Sequence, residues 1–352
     1  MIAFDGRNRS AMGLALLLAC GCIMGMASGC GRGDRAPETS GGTGDTLRPA
    51  PPLHEHAEAG ALGRTRLDFR SVPAAIPVGA PAEWTLTIRD RASGAPVKDF
   101  DTVHAKLLHL IVVSSDLTWF NHVHPEYRGE GVFTVKTVLP RAGSYKLYAD
   151  YTLAGGAHDV EQYELATGGG TYRQETSNLV ADTIGEGGWM VRTVASRPEG
   201  MPDEKGGAEY QVALMPMPMK LVAGRDAMLH FQIRDAGGKP VKGLEPYLGA
   251  MGHAVLLSAD TKTYLHTHPM EPGAGHGGMH HEGEEHAAVR NGMAPGHGHG
   301  TATLDEEETP GKPASEVIFH TNFPNPGLYK VWGQFRHMGR IITASFVLNV
   351  EA

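Results

Sequence analysis

Histidines recur with one spacing at two places in the chain. The two sets are His109, His122, His124 and His253, His266, His268. In a strand, residues two apart share a face, so each His-x-His pair points to one side. An even-length turn between the first histidine and the pair brings three imidazoles together across a hairpin. Clustered imidazoles bind copper, zinc or nickel, and a nearby thioether favours copper.

The register of these hairpins leaves two arrangements open. A turn centred on Ser115 and Asp116 pairs His109 with His122, and a turn centred one residue later pairs it with His124. Either register places the imidazoles of one set on a single face, whereas a three-residue loop would pair His109 with Val123 and scatter the set. The alternative without a metal is a hydrogen-bonded histidine pair that only orders the turn.

The last hairpin of each half adds further candidate ligands. Its loop carries His158 in the first half of the chain, and His337 with Met338 in the second half. Met251 lies just before His253 and is another candidate thioether. In a sandwich, loops gather at the ends, so this loop is expected to reach the other hairpin. The site predicted in the second half combines His253, His266, His268 and His337.

Some metal-binding residue types have no counterpart at the matching position of the other half. His104, His230 and His320 are therefore read as incidental. The segment Met215-Pro-Met217-Pro-Met219 places three thioethers on one side of an extended chain. Packing of an edge strand explains them, and Cu(I) binding is the alternative.

The two histidine sets lie in two copies of one unit. Residues 94–125 match 238–269 without a gap, with ten identities in 32 pairs. The match resumes at 139–146 with 323–330, after 40 extra positions in the second copy. Such agreement indicates internal duplication.

Each copy has short alternating runs separated by turn residues, which is typical of an antiparallel β-sandwich. We predict an all-β protein with immunoglobulin- or cupredoxin-like repeats at 64–167 and 205–350, joined by a linker at 168–204. The extra positions, 270–313, are rich in His, Met, Gly and acidic residues. That composition cannot form a core, so we expect a disordered loop that binds metal loosely.

The N-terminus has the features of a bacterial lipoprotein. Two arginines precede an apolar run, which ends in Ala27-Ser28-Gly29-Cys30. This pattern predicts a signal peptide at 1–29, lipidation of Cys30 and a flexible tether at 30–63. We therefore expect an extracytoplasmic protein that is attached to a bacterial membrane only through its lipid anchor.

Composition excludes several functions. All three cysteines lie within the first thirty residues, so the rest of the chain has no disulfide, cysteine metal site or catalytic thiol. The net charge is −8 and no basic run is present, which argues against nucleic acid as a partner.

Several phrases of the second copy resemble a known family. They are Tyr247–His253, Tyr264–Pro269, Phe323-Pro324, Gly327–Lys330 and Thr343-Ala344. Together they resemble bacterial secreted proteins and lipoproteins with a YtkA-like β-sandwich domain, over nearly all of 205–350 and more loosely over 64–167. The resemblance implies an immunoglobulin- or cupredoxin-like fold and a link to heavy-metal or copper handling, with a metal-handling protein as partner. Blue-copper electron transfer is not expected, because the cysteine ligand is missing.

The sequence therefore favours a non-enzymatic lipoprotein that binds or buffers a transition metal. Copper is the expected ion, and zinc and nickel are the alternatives. One competing hypothesis is a cupin-like metalloenzyme, since Glu271 follows the second His-x-His pair, although Lys330 stands where a cupin has a histidine. The other is a structural or adhesive sandwich protein without metal.

Overall fold

The computed structural model describes residues 63–198, 207–269 and 315–352. The predicted signal peptide 1–29, Cys30, the tether up to residue 62 and the insertion 270–313 lie outside the described residues. Within those described, the regular structure consists of strands and two 3-10 turns, Thr167–Gly169 and Glu186–Gly188. The predicted all-β fold class of two tandem sandwiches is confirmed.

The first repeat contains nine strands in two sheets. They are β1 (Thr65–Val72), β2 (Pro81–Asp90), β3 (Phe100–Asp101), β4 (His109–Ser114), β5 (Phe120–Val123), β6 (Glu126–Gly129), β7 (Val132–Val138), β8 (Ser144–Leu153) and β9 (Ala157–Ala166). One sheet has the order β1-β2-β7-β6. In the other, β8 lies between β9 and β4, β4 also pairs with β5, and β3 pairs with the end of β8.

The described residues of the second repeat form eleven strands in two sheets. They are β10 (Met190–Ala195), β11 (Arg197–Pro198), β12 (Glu209–Met217), β13 (Leu221–Val222), β14 (Asp226–Asp235), β15 (Leu244–Glu245), β16 (His253–Ser258), β17 (Tyr264–Thr267), β18 (Glu316–Asn322), β19 (Gly327–His337) and β20 (Arg340–Glu351). The sheets have the orders β10-β12-β14-β18 and β11-β20-β19-β16-β17, and β13 and β15 pair with β20 and β19.

The structure confirms the duplication. His109 is the first residue of β4 and pairs with Asp150 of β8. His253 is the first residue of β16 and pairs with Gln334 of β19. These are the positions related by the two sequence shifts, so β4, β5 and β8 correspond to β16, β17 and β19.

The segment 168–204, expected to be a linker, also contributes strands. β10 pairs with β12 and β11 pairs with β20, so both belong to the second repeat. Before them, the Gln174 side chain donates to the carbonyl of Ser115, and Ser177 Oγ donates to that of Ala259, at 3.0 and 2.9 Å. Ser115 and Ala259 are equivalent positions, so this segment connects matching turns of the two repeats.

Strand β4 is buried along both faces because it belongs to two cores. Leu110 and Val112 point into the first sandwich, where they pack with Trp84 of β2. Ile111 and Val113 point the other way, toward the second repeat. Side chains alternate along a strand, so His109 lies on the same face as Ile111. Strand β16 has the same burial pattern.

An inter-repeat cluster of apolar side chains joins the two sandwiches. Its buried members are Ile111, Val113, Leu117, Tyr148, Val255, Leu257, Tyr264 and Trp332. Phe120 stacks on Trp332 with ring centroids 4.9 Å apart, and Tyr148 stacks on Tyr264 at 4.8 Å. Phe120 is equivalent to Tyr264, and Tyr148 to Trp332. The contact is therefore self-complementary, as in a two-fold symmetric dimer, although both halves belong to one chain.

Gly249 allows two equivalent loops to meet at this interface. Its φ is +83°, and a Cβ added there would lie 2.5 Å from the backbone carbonyl of His104. Ala105 is the residue of the first repeat equivalent to Gly249, and it also has a positive φ of 62°. A side chain at Gly249 would therefore push the repeats apart beside the histidines.

We expect Gly249→Ala to cost more stability than Gly243→Ala. Gly243 has a φ of +71° but nothing within 4 Å of an added Cβ, so it is a matched control for backbone strain alone. The control should cost about 1–2 kcal/mol of unfolding free energy. Gly249→Ala should lose a further ~1–3 kcal/mol from overpacking. Urea unfolding measures both, and equal losses would show that the close contact is unimportant.

Candidate metal centre between the repeats

The two histidine sets meet at the end of the inter-repeat cluster. The β4–β5 register pairs Leu110 with Val123, so one step further His109 lies opposite His124. This is the second of the two registers left open by the sequence. Ala254 pairs with Thr267 in β16–β17, so the second repeat has the same register.

Matching turns set that register. In the first hairpin, Asp116 Oδ1 accepts hydrogen bonds from Ser114 Oγ and from the backbone N–H of Thr118, at 2.5 and 3.0 Å. In the second, Asp260 Oδ1 accepts from Ser258 Oγ and the N–H of Lys262, at 2.6 and 3.1 Å. An aspartate that bonds the backbone two residues on stabilises a tight turn.

Four imidazoles, two from each repeat, form the centre of the cluster. One ring nitrogen from each of His109, His122, His253 and His266 lies within 4.8 Å of the others. We call these four residues the four-histidine site. His122 and His253 rings are 5.1 Å apart, and His109 and His266 rings 5.2 Å apart, across the interface.

Three further histidines surround this site. His124 Nε2 lies 3.0 Å from His109 Nδ1. The His268 ring is 4.6 Å from that of His253 and 3.7 Å from that of His104. Among the described residues, His268 Nε2 is buried and has no hydrogen-bond partner.

Hydrogen bonds fix the proton of each imidazole in the four-histidine site on its outer nitrogen. His109 Nε2 faces the Val103 carbonyl at 3.2 Å, and His253 Nε2 faces the Tyr247 carbonyl at 2.8 Å. A carbonyl oxygen only accepts, so both Nε2 atoms carry a proton and donate. Each Nδ1 therefore bears a lone pair that points into the site.

The other two imidazoles are oriented by groups from the opposite repeat. His122 Nδ1 lies 3.0 Å from Gln334 Oε1, and His266 Nδ1 lies 2.9 Å from Asp150 Oδ2. Both oxygens accept, since the Gln334 amide nitrogen is already donating to Thr343. In the neutral form, which is the form that coordinates a metal, His122 and His266 therefore present Nε2 lone pairs to the site.

Lone pairs thus face lone pairs with no proton between them. His109 Nδ1 and His122 Nε2 are 3.2 Å apart, and His253 Nδ1 and His266 Nε2 are 3.3 Å apart. A cation bound at ~2.0–2.1 Å from four tetrahedral nitrogens needs nitrogen pairs about 3.3–3.4 Å apart. Two of the six nitrogen pairs have that spacing, and all six lie within 4.8 Å. A metal ion between them would replace the repulsion of facing lone pairs by coordination. Outer N–H groups held by carbonyl or carboxylate oxygens are typical of metal-binding histidines.

Burial keeps three of these imidazoles neutral. Burial, with a smaller contribution from His266, lowers the pKa of His109 from 6.5 to about 4. Burial, followed by neighbouring imidazoles, also holds the pKa values of His122 and His253 well below the ordinary range. Neutral imidazole is the form that coordinates a metal, so the site is ready to bind near neutral pH.

We expect the metal-free protein to lose stability as the pH falls from about 6.5 toward about 4. Above its unfolded-state pKa, a histidine with a lowered folded-state pKa is neutral in both states and the fold keeps its full stability. Below that pKa the histidine takes up a proton on unfolding, which favours the unfolded state. Each such residue contributes about 1.4 kcal/mol per pH unit in that window. Unfolding free energies of chelator-treated protein test this, and His109→Gln should reduce the slope. A flat profile between pH 6.5 and 4 would contradict the expectation.

The two halves of the site differ in one supporting group. Asp150 accepts from His266, from Tyr264 Oη at 2.9 Å and from His158 Nε2 at 2.7 Å. Burial alone would raise the pKa of Asp150, but the hydrogen bonds from His158 and His266 hold it well below its ordinary value. The equivalent residue in the second repeat is the neutral Gln334. His266 therefore has an anionic partner that His122 lacks.

Comparisons with known proteins identify a family. The sequence profile of a domain of unknown function, DUF8832, matches residues 65–167 and 205–352, which together exceed half of the chain. The chain belongs to the DUF8832 family. A search of curated proteins finds no match. The DUF8832 match does not test the resemblance to YtkA-like domains, which stays a prediction.

Solved structures show only distant similarity to this DUF8832 protein. The Escherichia coli adhesin FdeC is 14% identical with a TM-score of 0.21, covering 83% of this chain and 66% of the adhesin chain. Carbohydrate-binding modules of the β-sandwich superfamily are 10% identical at a TM-score of 0.20, covering 58% and 76%. Salmonella alpha-2-macroglobulin is 11% identical at 0.23, covering 81% and 17%. The chain spans just under two thirds of the adhesin chain, and at these TM-scores the similarities support no functional argument.

Within the part of the chain described by the structure, no helix has the length and apolarity needed to cross a membrane.

The structure places several predicted ligands away from the four-histidine site. His337 does not join His253, His266 and His268: its two ring nitrogens lie 2.9 Å from Tyr210 Oη and 3.0 Å from the Lys242 carbonyl. The hairpin β19–β20 turns immediately after His337, so its loop is too short to reach the site.

The remaining candidates also lie outside the four-histidine site. His158 is in strand β9 and supports Asp150 instead of contributing to the imidazole group. Met251 packs against the core of the second sandwich, and Met338 is 76% exposed in the β19–β20 turn. His124 and His268 flank the four-histidine site.

The histidines of the second repeat do not form a separate group, because the two histidine sets meet in a single cluster. His104, read as incidental, belongs to the cluster and contacts His268. No sequence signal identified it, since its counterpart is Leu248. Asp150 and Gln334 were also missed, although both lie at matching positions of the strand opposite the first histidine.

Proposed function

We propose that this protein is an extracytoplasmic lipoprotein that binds copper between its two repeats and buffers it. The observation that carries the proposal is the convergence of four imidazole lone pairs, with 3.2 and 3.3 Å between the paired nitrogens. His124 Nε2, 3.0 Å from His109 Nδ1, can donate to the His109 lone pair. When the imidazoles are neutral, however, no hydrogen bond among the described residues explains why His253 Nδ1 and His266 Nε2 face each other. A positive ion at their centre does.

Copper is preferred among the candidate ions for a chemical reason. Nitrogen-donor sites bind divalent first-row metals with rising affinity toward Cu(II), and zinc and nickel bind less tightly. A tetrahedral arrangement by itself suits zinc, so copper is proposed on ligand affinity and not on geometry. The YtkA-like phrases imply the same link to copper. They also imply a metal-handling protein as partner, which we include in the proposal.

Binding is proposed instead of catalysis because the site is closed. Catalytic metal sites keep a coordination position open for water or substrate, whereas four protein ligands complete a tetrahedral site. His109 and His122 are each 3% exposed and His253 is 0% exposed, so a substrate has no access to the ion. Such a site holds an ion.

Metal titration of protein purified without an affinity tag tests this function. We expect the parent protein to bind one more equivalent of metal tightly than a His109→Gln variant does. Cu(II) should bind there more tightly than Zn(II) or Ni(II). Co(II) in this site should give the strong visible absorption of tetrahedral coordination, which a solvated loop does not produce. Equal metal content in the parent and variant, with only octahedral Co(II) spectra, would contradict the proposal.

A further inference from the structure

A second group of metal-binding residue types lies on the outer face of the sheet β10-β12-β14-β18. Met215 of β12 pairs directly with His230 of β14, and Met217 pairs with Met228. Directly opposed residues in antiparallel strands share a face and have Cβ atoms about 4.5–5.5 Å apart. The inner face of the same strands carries Leu214, so the methionines and the histidine point away from the core.

Edge-strand packing applies to Met215 and Met217 but not to Met219. Strand β12 pairs with β10 only as far as Leu214, so among the described strands the two methionines of β12 pair with β14 alone. Met215 and Met217 share one face of β12, and Met219 lies in the bend that follows the strand. Met219 is 60% exposed, so core packing does not explain its position either.

Two of the sulfur atoms converge on Gly188. A Cβ built on this glycine would lie 3.1 Å from Met219 Sδ and 3.3 Å from Met215 Sδ. Gly188 has a φ of +87°, so both its conformation and the nearby sulfurs favour glycine. Both thioethers therefore lie against the same backbone position.

His230 and Trp189 complete the group. His230 Nε2 lies 2.9 Å from Glu316 Oε2, an acceptor that holds the proton on Nε2 and leaves the lone pair on Nδ1. The indole of Trp189, the residue after Gly188, packs against the His230 ring with centroids 5.1 Å apart. An indole face attracts a nearby cation through its ring quadrupole.

We propose that Met215, Met219 and His230 bind a soft monovalent cation, Cu(I) or its analogue Ag(I), beside the indole of Trp189. Thioether sulfur and imidazole nitrogen are ligands that Cu(I) prefers. The site lies entirely in the second repeat and shares no residue with the four-histidine site. In the first repeat the pair equivalent to Met215 and His230 is Arg70 and Thr85, which supplies no soft ligand.

Nuclear magnetic resonance of the full chain with ¹³C-methyl methionine tests the site with Ag(I). Met→Leu variants assign each methyl signal. We expect the Met215 and Met219 methyl signals to shift with the first equivalents of Ag(I), before that of Met338, which is exposed in a distant turn and serves as the control. Shifts of Met215 and Met219 that only accompany or follow that of Met338 would overturn the proposal.

A variant pair gives a second measurement. The double substitution Met215→Leu and Met219→Leu should remove one equivalent of bound Ag(I), whereas Met338→Leu should remove none. Leucine keeps a similar apolar volume, and a melting curve checks folding. A folded double variant that binds as much Ag(I) as its parent would show that the methionines only pack. If the double variant does not fold, the methyl signals of the parent protein decide.

Discussion

A chain carrying His109→Gln is expected to lose the same high-affinity metal ion as a chain carrying His253→Gln, although the two residues belong to different repeats. Each substitution removes an Nδ1 lone pair from one tetrahedral set. Loss of a ligand should weaken binding by more than the ~10–100-fold cost of disturbing an outer partner. The double variant should lose no more than this one tightly bound ion, because both changes affect the same ion.

Isothermal titration with copper on each single variant and on the double variant measures this effect. His337→Gln is the matched control, because His337 bonds to Tyr210 and Lys242 outside the site. Two separate sites would give a different result: each single variant would keep one tight equivalent, and only the double variant would lose both.

Asp150→Asn is expected to weaken metal binding by about 10–100-fold while His266 stays in place. Asparagine can still accept the hydrogen bond from His266 Nδ1, but it removes the negative charge that makes this imidazole a stronger donor. The neutral Gln334 in the equivalent position shows that an amide fits this environment. The expected effect is therefore on affinity more than on structure.

Two further variants separate the effect of charge from general disturbance. Asp159→Asn removes a carboxylate from the neighbouring strand β9, where Asp159 accepts from Thr65 Oγ1 at 2.6 Å, and should leave affinity unchanged. Gln334→Glu should raise affinity, because it supplies His122 with an anionic partner as well. Equal affinities for Asp150→Asn and the parent would show that the carboxylate does not support a bound ion.

Much of the fold followed from the sequence because duplication and strand alternation are local patterns. The matches around His109 and His253 located the paired hairpins, and the Ser-x-Asp turns limited the register to two choices. The way in which the two repeats dock could not be predicted from the sequence. Ile111 and Val113 read as ordinary strand residues, and alternation alone does not show that both faces of β4 are covered.

The candidate site was predictable residue by residue but not as an assembly. Spacing identified the inner and flanking histidines of both repeats, since the hairpins place them on one face. The meeting of the two histidine sets in one site depends on contacts between residues far apart in sequence, such as His122 with Gln334. His337 was misplaced because the length of the β19–β20 turn decides its reach, and that turn is only two residues long. His104 enters from a loop whose conformation has no sequence signature.

The most direct test is anomalous scattering from a crystal of the copper-loaded full chain. We expect one copper peak ~2.0–2.1 Å from nitrogens of both repeats, namely His109 Nδ1, His122 Nε2, His253 Nδ1 and His266 Nε2. Two peaks that are each bound by histidines of a single repeat, or no peak among these four residues, would contradict it.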